Sequence, residues 1–437
     1  MISKLSTWLG LAPRTFTGAL LVAGTCIGGG MLALPVAGAP AGLIPSLSLM
    51  IIVFIIMTIT ALCLVEIGFW MKKSDAHIIT MASTILGEWG KGVMWCLFLF
   101  ISYASLTAYT AGCGHLLSAA LSDLFDTDVP KSIGCWLFVL MFGPFLLGPR
   151  YILGRANDLL FILMIVAYAF IIGIGVTLVR TDYLMRGDWN QAYLAVPLLI
   201  TAFSFQTMVP SLHPFLDHDK KSLRVAVVLG TTIAFLVYGL WQFVVYGSVP
   251  LEGETGLLQA FAEGEPATFC LGKLSHSAWI PLAASVFALF ALVTSFFGIG
   301  IGLFDFLSDG LSISKKGKGA VALGLLVLVP SLIFAISYER VFIIALDVSG
   351  GFGDTILNGI VPLIMLWVGI KRFAPHLTRH AGLRNAVIVI LLGLFALAFA
   401  TEAKARFSHK PLSPADDRAA TVLEIETSLQ HVEKKRV

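Results

Sequence analysis

Charged side chains are scarce in this sequence. Aspartate, glutamate, lysine and arginine make up 13% of the 437 residues, whereas 57% are hydrophobic and the mean hydropathy is +0.90. Soluble domains carry about 25% charged residues. Because so few charges cannot cover a water-exposed surface, the composition excludes a soluble protein and predicts a polytopic membrane protein.

The sequence also lacks the motifs of enzymes, ATP-driven pumps and metalloproteins. It contains no phosphate-binding loop, GxSxG elbow or Walker lysine. His213, His218 and His276 are too dispersed to predict a metal site. The six cysteines have no CxxC spacing, so they are interpreted as small apolar residues. We therefore expect neither an enzyme nor a cofactor, a metal or a nucleic-acid partner.

Long apolar runs occupy nearly the whole chain. Eleven segments have roughly the 20 residues that a membrane-spanning helix needs. Seventeen of the 29 basic residues fall on alternate connections on the side of the N-terminus, and five fall on the opposite loops. This bias predicts a cytoplasmic N-terminal segment, residues 1–13, and a periplasmic C-terminus. The charged tail, residues 402–437, is expected to be mobile.

Two predicted spans are interrupted near their centres. The first, residues 17–40, contains Gly24 and the run Gly28, Gly29, Gly30, although glycine destabilises a helix interior by about 1 kcal/mol. The sixth, residues 191–214, contains Phe203 to Gln206 followed by two prolines. Irregular backbone at membrane depth is tolerated where it is buried in protein or lines a wet cavity. The two interruptions therefore predict a binding site in mid-membrane.

The interrupted spans open two segments of similar length, residues 14–180 and 191–371. Each segment holds five predicted spans, so the second must enter the membrane from the opposite side. We predict an all-α polytopic fold with about eleven transmembrane helices. It comprises two inverted five-helix repeats with broken helices 1 and 6, and an additional helix at 385–400. Paired interruptions in inverted repeats are typical of secondary transporters.

Three motifs resemble a known family. They are GTCIGGGMLALP at 24–35, Ser204-Phe205-Gln206 with Val209-Pro210-Ser211, and GLFDFL at 302–307. Together they resemble the hydroxy and aromatic amino acid permeases, and most of all the tyrosine and tryptophan permease branch. The resemblance implies an amino acid/auxin permease-like fold similar to the bacterial leucine transporter. It also implies a place in a bacterial inner membrane and proton-coupled uptake.

An aromatic amino acid would need partners for a carboxylate, an ammonium and a ring. The half-helix that begins near Gly30 would point its N-H groups at the carboxylate. Carbonyl groups near the two interruptions would meet the ammonium. Aromatic rings would form a slot, although each ring alone is better explained by packing or by anchoring at the membrane interface. The predicted substrate-binding residues are Ala23, Gly24, Thr25, Gly28, Gly29, Gly30, Tyr103, Thr107, Tyr109, Phe203, Ser204, Phe205 and Gln206.

Ion coupling has several candidate residues. Acidic residues within spans are costly, and five fall within or near the predicted spans: Glu66, Asp158, Asp305, Asp347 and Asp354. Glu66, Asp158 and Asp305 lie near span ends, where solvation or pairing with Arg155 or Lys72 also explains them. We take Asp347 and Asp305 as candidates for proton coupling, and Thr294 and Ser295 as candidates for sodium coordination.

The sequence therefore predicts a secondary active transporter that imports tyrosine or tryptophan with a proton by alternating access. Sodium coupling or a broader neutral amino acid permease stays open, and a channel is a further alternative. The expected partners are the amino acid, the coupling ion and membrane lipid. An intramembrane enzyme would need a nucleophile paired with a base, or a metal cluster, within the spans, and the sequence contains neither.

Overall fold

The computed structural model describes residues 12–71, 77–148, 150–273, 279–338, 341–375 and 381–408. In these ranges the chain is almost entirely helical, and sheet structure is limited to an isolated β-bridge between Gly42 and Gly187. Nine helices there are long and apolar enough to cross a membrane, and one bent pair passes the same test as a unit. The structure confirms the predicted all-α membrane architecture but not the number of eleven spans.

The first half of the described chain contains six helices of nine residues or more, followed by the short helix Thr181–Leu184. They are α1 (Pro13–Cys26), α2 (Gly29–Ala37), α3 (Leu43–Gly68), α4 (Ile78–Phe125), α5 (Lys131–Leu147) and α6 (Arg150–Gly175). Helices α1 and α2 form the bent pair, with an angle of 54° between them. Helix α5 is the predicted fourth span, but its 17 residues are shorter than the other spans.

The second half begins with the other broken helix. It contains α7 (Val196–Ala202), α8 (Val209–Phe215), α9 (Lys220–Ser248), α10 (Leu257–Glu263), α11 (Ala267–Lys273), α12 (Trp279–Leu311), α13 (Gly317–Ser337), α14 (Val341–Val348), α15 (Val361–Phe373) and α16 (Ala381–Ser408). A π-helical segment, Ser349–Ile360, joins α14 to α15. Short 3₁₀ turns precede α7 and α8.

Helix α4 begins at Ile78 and kinks at Gly87, whose φ of 77° suits glycine. The last span within residues 191–371 has a π-helical centre. Helix α16 is longer than the additional helix expected at 385–400, and it extends to Ser408, beyond the expected start of the tail at 402. Residues 1–11 and 409–437 of the predicted terminal segments lie outside the described residues.

The helices pack as two groups. In the broken-helix group, α1 and α3 pack against α9, and α2 packs against α7. In the scaffold group, α4 packs against α5, α12 and α13, and α6 packs against α12. The π-helical segment contacts both α7 and α4, and α16 covers it from the other side. The interrupted residues therefore lie where the two groups meet.

We call the two ends of the bundle the Pro13 end and the Ala37 end, after the first residue of α1 and the last residue of α2. At the Pro13 end, Arg14 at the start of α1 forms an ion pair with Asp217, just after α8. At the Ala37 end, α2 packs against α7. The two broken helices therefore run in opposite directions, as an inverted repeat requires.

Polar contacts hold the broken-helix group together at the Pro13 end. Glu66 forms ion pairs with Lys220 at 2.7 Å and Arg224 at 3.2 Å, and the side-chain oxygens of Thr15 and Ser222 lie 3.0 Å apart. These contacts join the ends of α1, α3 and α9. They place Glu66 in ion pairs, as a residue near a span end was expected to be, although with partners other than Lys72.

Helices α10 and α11 cover the Ala37 end. Each has seven residues, too few to be one of the predicted spans. Both helices pack against α2, and His115 on α4 lies 3.2 Å from Glu265 between them. Helix α2, the second half of the first broken helix, is thus enclosed by the connection that follows α9.

Candidate functional site

The first interruption lies at Ile27 and Gly28. Helix α1 ends at Cys26, and the N-H of Ile27 still donates to the carbonyl of Ala23 over 2.9 Å. Helix α2 then begins at Gly29, whose N-H donates to the side-chain oxygen of Ser295 on α12 over 3.3 Å. The N-terminus of α2 thus opens at mid-membrane against the scaffold group.

Three consecutive glycines allow neighbouring helices to approach this interruption. A Cβ atom on Gly29 would lie 2.5 Å from Cε1 of the Tyr109 ring, and one on Gly30 would lie 3.3 Å from Cα of Ala202. A Cβ atom on Gly28 would collide with the hydroxyl of Ser295. The glycine run therefore serves close approach to α4, α7 and α12 at one point.

The second interruption, Phe203 to Phe205, lies between α7 and the 3₁₀ turn that precedes α8. The side chain of Gln206 fixes it. Oε1 of Gln206 accepts from the N-H of Phe205 over 2.9 Å, and Nε2 donates to the Met57 carbonyl and the Thr60 hydroxyl on α3. Gln206 is fully buried. Because both of its N-H groups are already used, Gln206 holds the backbone and has no donor left for a ligand.

Tyr238 on α9 connects the two interruptions. Its hydroxyl lies 2.5 Å from the carbonyl oxygen of Cys26 and 2.8 Å from that of Ala202. These are the last residues of α1 and α7, and helix ends leave carbonyls without partners inside the helix. One buried side chain thus serves the ends of both half-helices.

The aromatic residues of the second interruption are packed inside the protein. Phe203 and Phe205 are fully buried. The ring of Phe203 lies 5.2 Å from the ring of Tyr238 and 6.0 Å from that of Phe54, measured between centroids. Packing therefore accounts for Phe203. Tyr109, by contrast, lies against Gly29 and faces the first interruption.

The structure also places the other predicted residues of α1. The Ala23 carbonyl is engaged by Ile27, because the helix continues three residues beyond Ala23. Gly24 faces Phe161 on α6, which would lie 3.4 Å from an added Cβ. Thr25 bonds back to the Leu21 carbonyl and contacts the sulfur of Met208. The carbonyl of Ala23 is therefore already engaged within the helix, whereas that of Cys26 accepts from Tyr238.

Two predicted residues of α4 point away from the interruptions. The hydroxyl of Tyr103 donates to the Leu326 carbonyl on α13 over 2.8 Å. Thr107 is buried, but it lies two residues before Tyr109, and residues two apart point to different sides of a helix. The structure therefore brings Tyr109 to the site and leaves Tyr103 and Thr107 on other faces of α4.

The ion-coupling candidates are widely separated. Ser295 contacts the first interruption directly, and the adjacent Thr294 bonds to carbonyls of its own helix. Asp305 lies ten residues further along α12, about 15 Å away along the axis, and forms an ion pair with Lys315 at 3.1 Å. Asp347 is half-buried in α14. The side chain of Asp158 lies outside the described part.

Asp354, one of the five acidic residues within or near the predicted spans, lies at the second interruption. Oδ1 of Asp354 accepts a hydrogen bond from the hydroxyl of Ser204 over 2.5 Å. Asp354 and Asn358 lie one turn apart in the π-helical segment, and this pair of polar residues in an apolar span was a signal within the sequence. Tyr238 gave no such signal, because its acceptors belong to two distant helices.

The chain is similar to known transport proteins over most of its length. The tryptophan/tyrosine permease family matches residues 12–401. The tyrosine-specific transport system 1 of Haemophilus influenzae is 31% identical over 386 residues, or 87% of this chain and 95% of that protein. A tryptophan-specific transport protein of the same organism is 26% identical over 398 residues, covering 88% of this chain and 94% of the relative.

A solved structure supports the fold. The crystal structure of MhsT in complex with L-phenylalanine matches with a TM-score of 0.59 at 16% identity, and the match covers 87% of this chain and 98% of that one. The likeness confirms the predicted leucine-transporter-type fold. Since the relatives are transport proteins, the chain is a membrane transport protein and not an enzyme. It belongs to the tryptophan/tyrosine permease family.

Proposed function

We propose that this chain imports tyrosine or tryptophan together with a proton across a bacterial inner membrane, by alternating access. The observation that carries the proposal is the meeting of two helix interruptions at mid-membrane, joined by the hydroxyl of Tyr238. The tyrosine- and tryptophan-specific relatives support the substrate class. In this proposal the N-terminus faces the cytoplasm.

The substrate's charged groups would bind backbone rather than charged side chains. The N-terminus of α2 carries roughly half a positive charge from the helix dipole, and its glycines place no side chain of their own between it and a carboxylate. The carbonyls of Cys26 and Ala202, with those of Phe203 and Ser204, would accept from the ammonium. The predicted residues Gly28, Gly29, Gly30 and Tyr109 therefore stay in the proposed site.

Alternating access would occur where the two helix groups meet. The broken-helix group is held together by its own ion pairs, so it can move as a unit against the scaffold group. Each imported proton would draw on the membrane potential, which is worth about 2.3 kcal/mol per charge per 100 mV. That free energy corresponds to roughly fiftyfold accumulation.

Sodium coupling is the second candidate, and one contact favours it. The hydroxyl of Ser295 lies beside Gly28 and Gly29, so one hydroxyl of α12 lies near the backbone of the first interruption. Hydroxyl and carbonyl oxygens are ligands suited to hard cations. The two ions would be distinguished by the gradient that drives uptake.

The test is uptake of labelled tyrosine and labelled tryptophan into proteoliposomes, under proton and sodium gradients imposed separately. We expect saturable accumulation that requires the proton gradient and is inhibited by either unlabelled amino acid. Unlabelled alanine and glutamine serve as competitors that report a broader permease. Absence of saturable uptake of both aromatic amino acids would refute the proposed substrate, and flux without saturation or accumulation would indicate a channel.

A further inference from the structure

Asp354 lies in the middle of the membrane-spanning unit formed by α14, the π-helical segment and α15. The unit runs from Val341 to Phe373, and Asp354 is 13 residues from its start. The residue is 1% exposed. A buried carboxyl at this depth is costly when ionised, because it has lost its water. Such a residue needs a structural or functional reason.

Three side-chain groups donate hydrogen bonds to this carboxylate. Oδ1 accepts from the Ser204 hydroxyl over 2.5 Å and from Nδ2 of Asn358 over 2.7 Å, and Oδ2 accepts from the Ser349 hydroxyl over 3.2 Å. All the donors are neutral. Within the described chain, Asp354 has no Lys, Arg or His partner at ion-pair distance. Its charge is therefore met by hydrogen bonds alone.

The titratable neighbours of Asp354 lie on the elements packed around the π-helical segment. Tyr109 faces it from α4, Asp347 lies two turns earlier on α14, and Glu402 on α16 contacts Gly351. Helix α7 contributes only neutral residues. The charged residues of α3 and α15, Glu66, Lys371 and Arg372, lie at the Pro13 end. Among the described residues, including Lys91 on α4 and Arg384 and Lys404 on α16, no cation lies at ion-pair distance from Asp354.

Asn358 can serve either protonation state of Asp354. Its Nδ2 donates to Asp354 and to the oxygen of Ser204, whereas its buried Oδ1 has no hydrogen-bond partner among the described residues. The two ends of an amide differ only in whether they donate or accept. Rotation of the amide by half a turn would present Oδ1 to the proton of a neutral Asp354 carboxyl.

We propose that Asp354 is the group that carries the coupled proton, and that Ser204 transmits its protonation state to the second helix interruption. This proposal rests on the proposed proton-coupled uptake. The proton would come from water at the open end of the site and bind to one oxygen of the carboxylate. It would leave as the carboxyl ionises toward water at the other end, with no other bond made or broken.

Ser204 can transmit the protonation state because it belongs both to the second helix interruption and to the hydrogen bonds around Asp354. Its backbone is part of the interruption between α7 and α8, and its hydroxyl donates to Asp354. When the carboxylate becomes neutral, it loses the charge that strengthens this hydrogen bond. Ser204 and its carbonyl are then free to rearrange around a substrate ammonium. Proton binding would thereby favour substrate binding, as symport requires.

The variant Asp354→Asn tests proton coupling separately from substrate binding. It keeps the shape of the side chain but cannot release a proton. In proteoliposomes, we expect accumulation of labelled tyrosine under a one-unit pH gradient to fall about tenfold, which is what such a gradient supports for one proton. Exchange of external labelled for internal unlabelled tyrosine, which needs no net proton movement, should persist within about threefold. The control Asp182→Asn removes an exposed carboxylate at the Ala37 end and should leave both assays unchanged.

Infrared spectroscopy tests the same residue without transport. A protonated buried carboxyl has a C=O stretching band that an ionised one lacks. We expect a band that appears on acidification of wild type, with and without tyrosine, and that is absent from Asp354→Asn. The variant Ser204→Ala should keep the band but lose gradient-driven accumulation. This variant carries the test if Asp354→Asn does not fold.

Several results would overturn the proposal. Undiminished proton-driven accumulation by Asp354→Asn would do so, as would the loss of exchange together with accumulation, which would make Asp354 a substrate ligand. Sodium-driven uptake in wild type that Asp354→Asn abolishes would make the cluster a sodium site. If wild type takes up neither aromatic amino acid, the proposed function fails, and the infrared band alone then decides the role of Asp354.

Discussion

At the scale of single residues, the glycines of the first interruption matter because they have no side chain. Gly28, Gly29 and Gly30 are buried against residues of three other helices. Optimal contact between carbon atoms is about 3.5 to 4.0 Å. Any side chain at Gly29 would violate this distance at Tyr109 and at Leu292, where an added Cβ would lie 3.0 Å from Cδ2. The site tolerates backbone alone at this point.

We predict that Gly29→Ala lowers uptake of labelled tyrosine by about tenfold or more, because the methyl group would displace the Tyr109 ring or α2. Overpacking of this kind costs about 1 to 3 kcal/mol. The measurement is initial uptake rate in proteoliposomes, normalised to folded protein.

The matched control for this substitution is Gly173→Ala, at an exposed glycine in α6 with open space around its Cα. It should leave uptake unchanged and raise the melting temperature slightly, since alanine favours a helix over glycine. Normal uptake by Gly29→Ala would show that the first interruption is not where substrate binds.

At the scale of helices, α9 supports both interruptions through Tyr238. The hydroxyl is buried and its two acceptors are carbonyls at helix ends, so its removal leaves polar atoms without partners. A buried polar group without a partner costs about 1 to 3 kcal/mol. The contact thus ties the geometry of each half-helix to the position of α9.

We predict that Tyr238→Phe lowers both the melting temperature and the apparent affinity for tyrosine, because the carbonyls of Cys26 and Ala202 would lose their fixed positions. Tyr168→Phe is the control, since Tyr168 on α6 also donates to a carbonyl of a neighbouring helix, that of Val237 on α9. It should lower the melting temperature but leave the affinity unchanged. Equal effects of both variants on affinity would contradict a special role for Tyr238.

The sequence predicted those elements whose cause is local. The interruption at Gly28 was visible as a glycine run, and that near Phe203 as polar residues followed by prolines. The π-helical segment was missed, although Gly350, Gly351 and Gly353 lie in it, because its flanks are apolar enough to predict one continuous helix.

Residue roles set by distant contacts were less predictable. Gln206 was assigned to a ligand, but α3 supplies acceptors for both of its N-H groups. The role of Tyr238 depends on two helix ends that precede it in the chain by 36 and 212 residues. Such pairings arise from tertiary packing, so a single sequence contains the residues without stating which partners they meet.

At the scale of the whole molecule, the two helix groups define which contacts should change during transport. Contacts within the broken-helix group should persist, whereas contacts between the groups should break. Thr15 and Ser222 represent the first kind, with their side-chain oxygens 3.0 Å apart. Gly24 on α1 and Phe161 on α6 represent the second kind.

We predict that a disulfide between Thr15→Cys and Ser222→Cys leaves uptake intact, since both residues would move together. A short thiol cross-link between Gly24→Cys and Phe161→Cys should abolish uptake, and its cleavage by a reductant should restore it. Both pairs are built on a background without the six native cysteines, and labelled tyrosine uptake is measured before and after reduction. Uptake that survives the second cross-link would exclude relative motion of α1 and α6.

The hydroxyl of Tyr238 has fewer hydrogens to donate than it has carbonyl acceptors. A tyrosine hydroxyl carries one hydrogen, yet it lies within bonding distance of two carbonyls, one from each repeat. Within the described part of the chain, one of the two carbonyls is therefore at any instant without the hydrogen of Tyr238. An amino acid's ammonium group brings three N-H donors and would balance the count for both. The two repeats thus lack one hydrogen-bond donor between them, and the ammonium group of the proposed substrate would supply it.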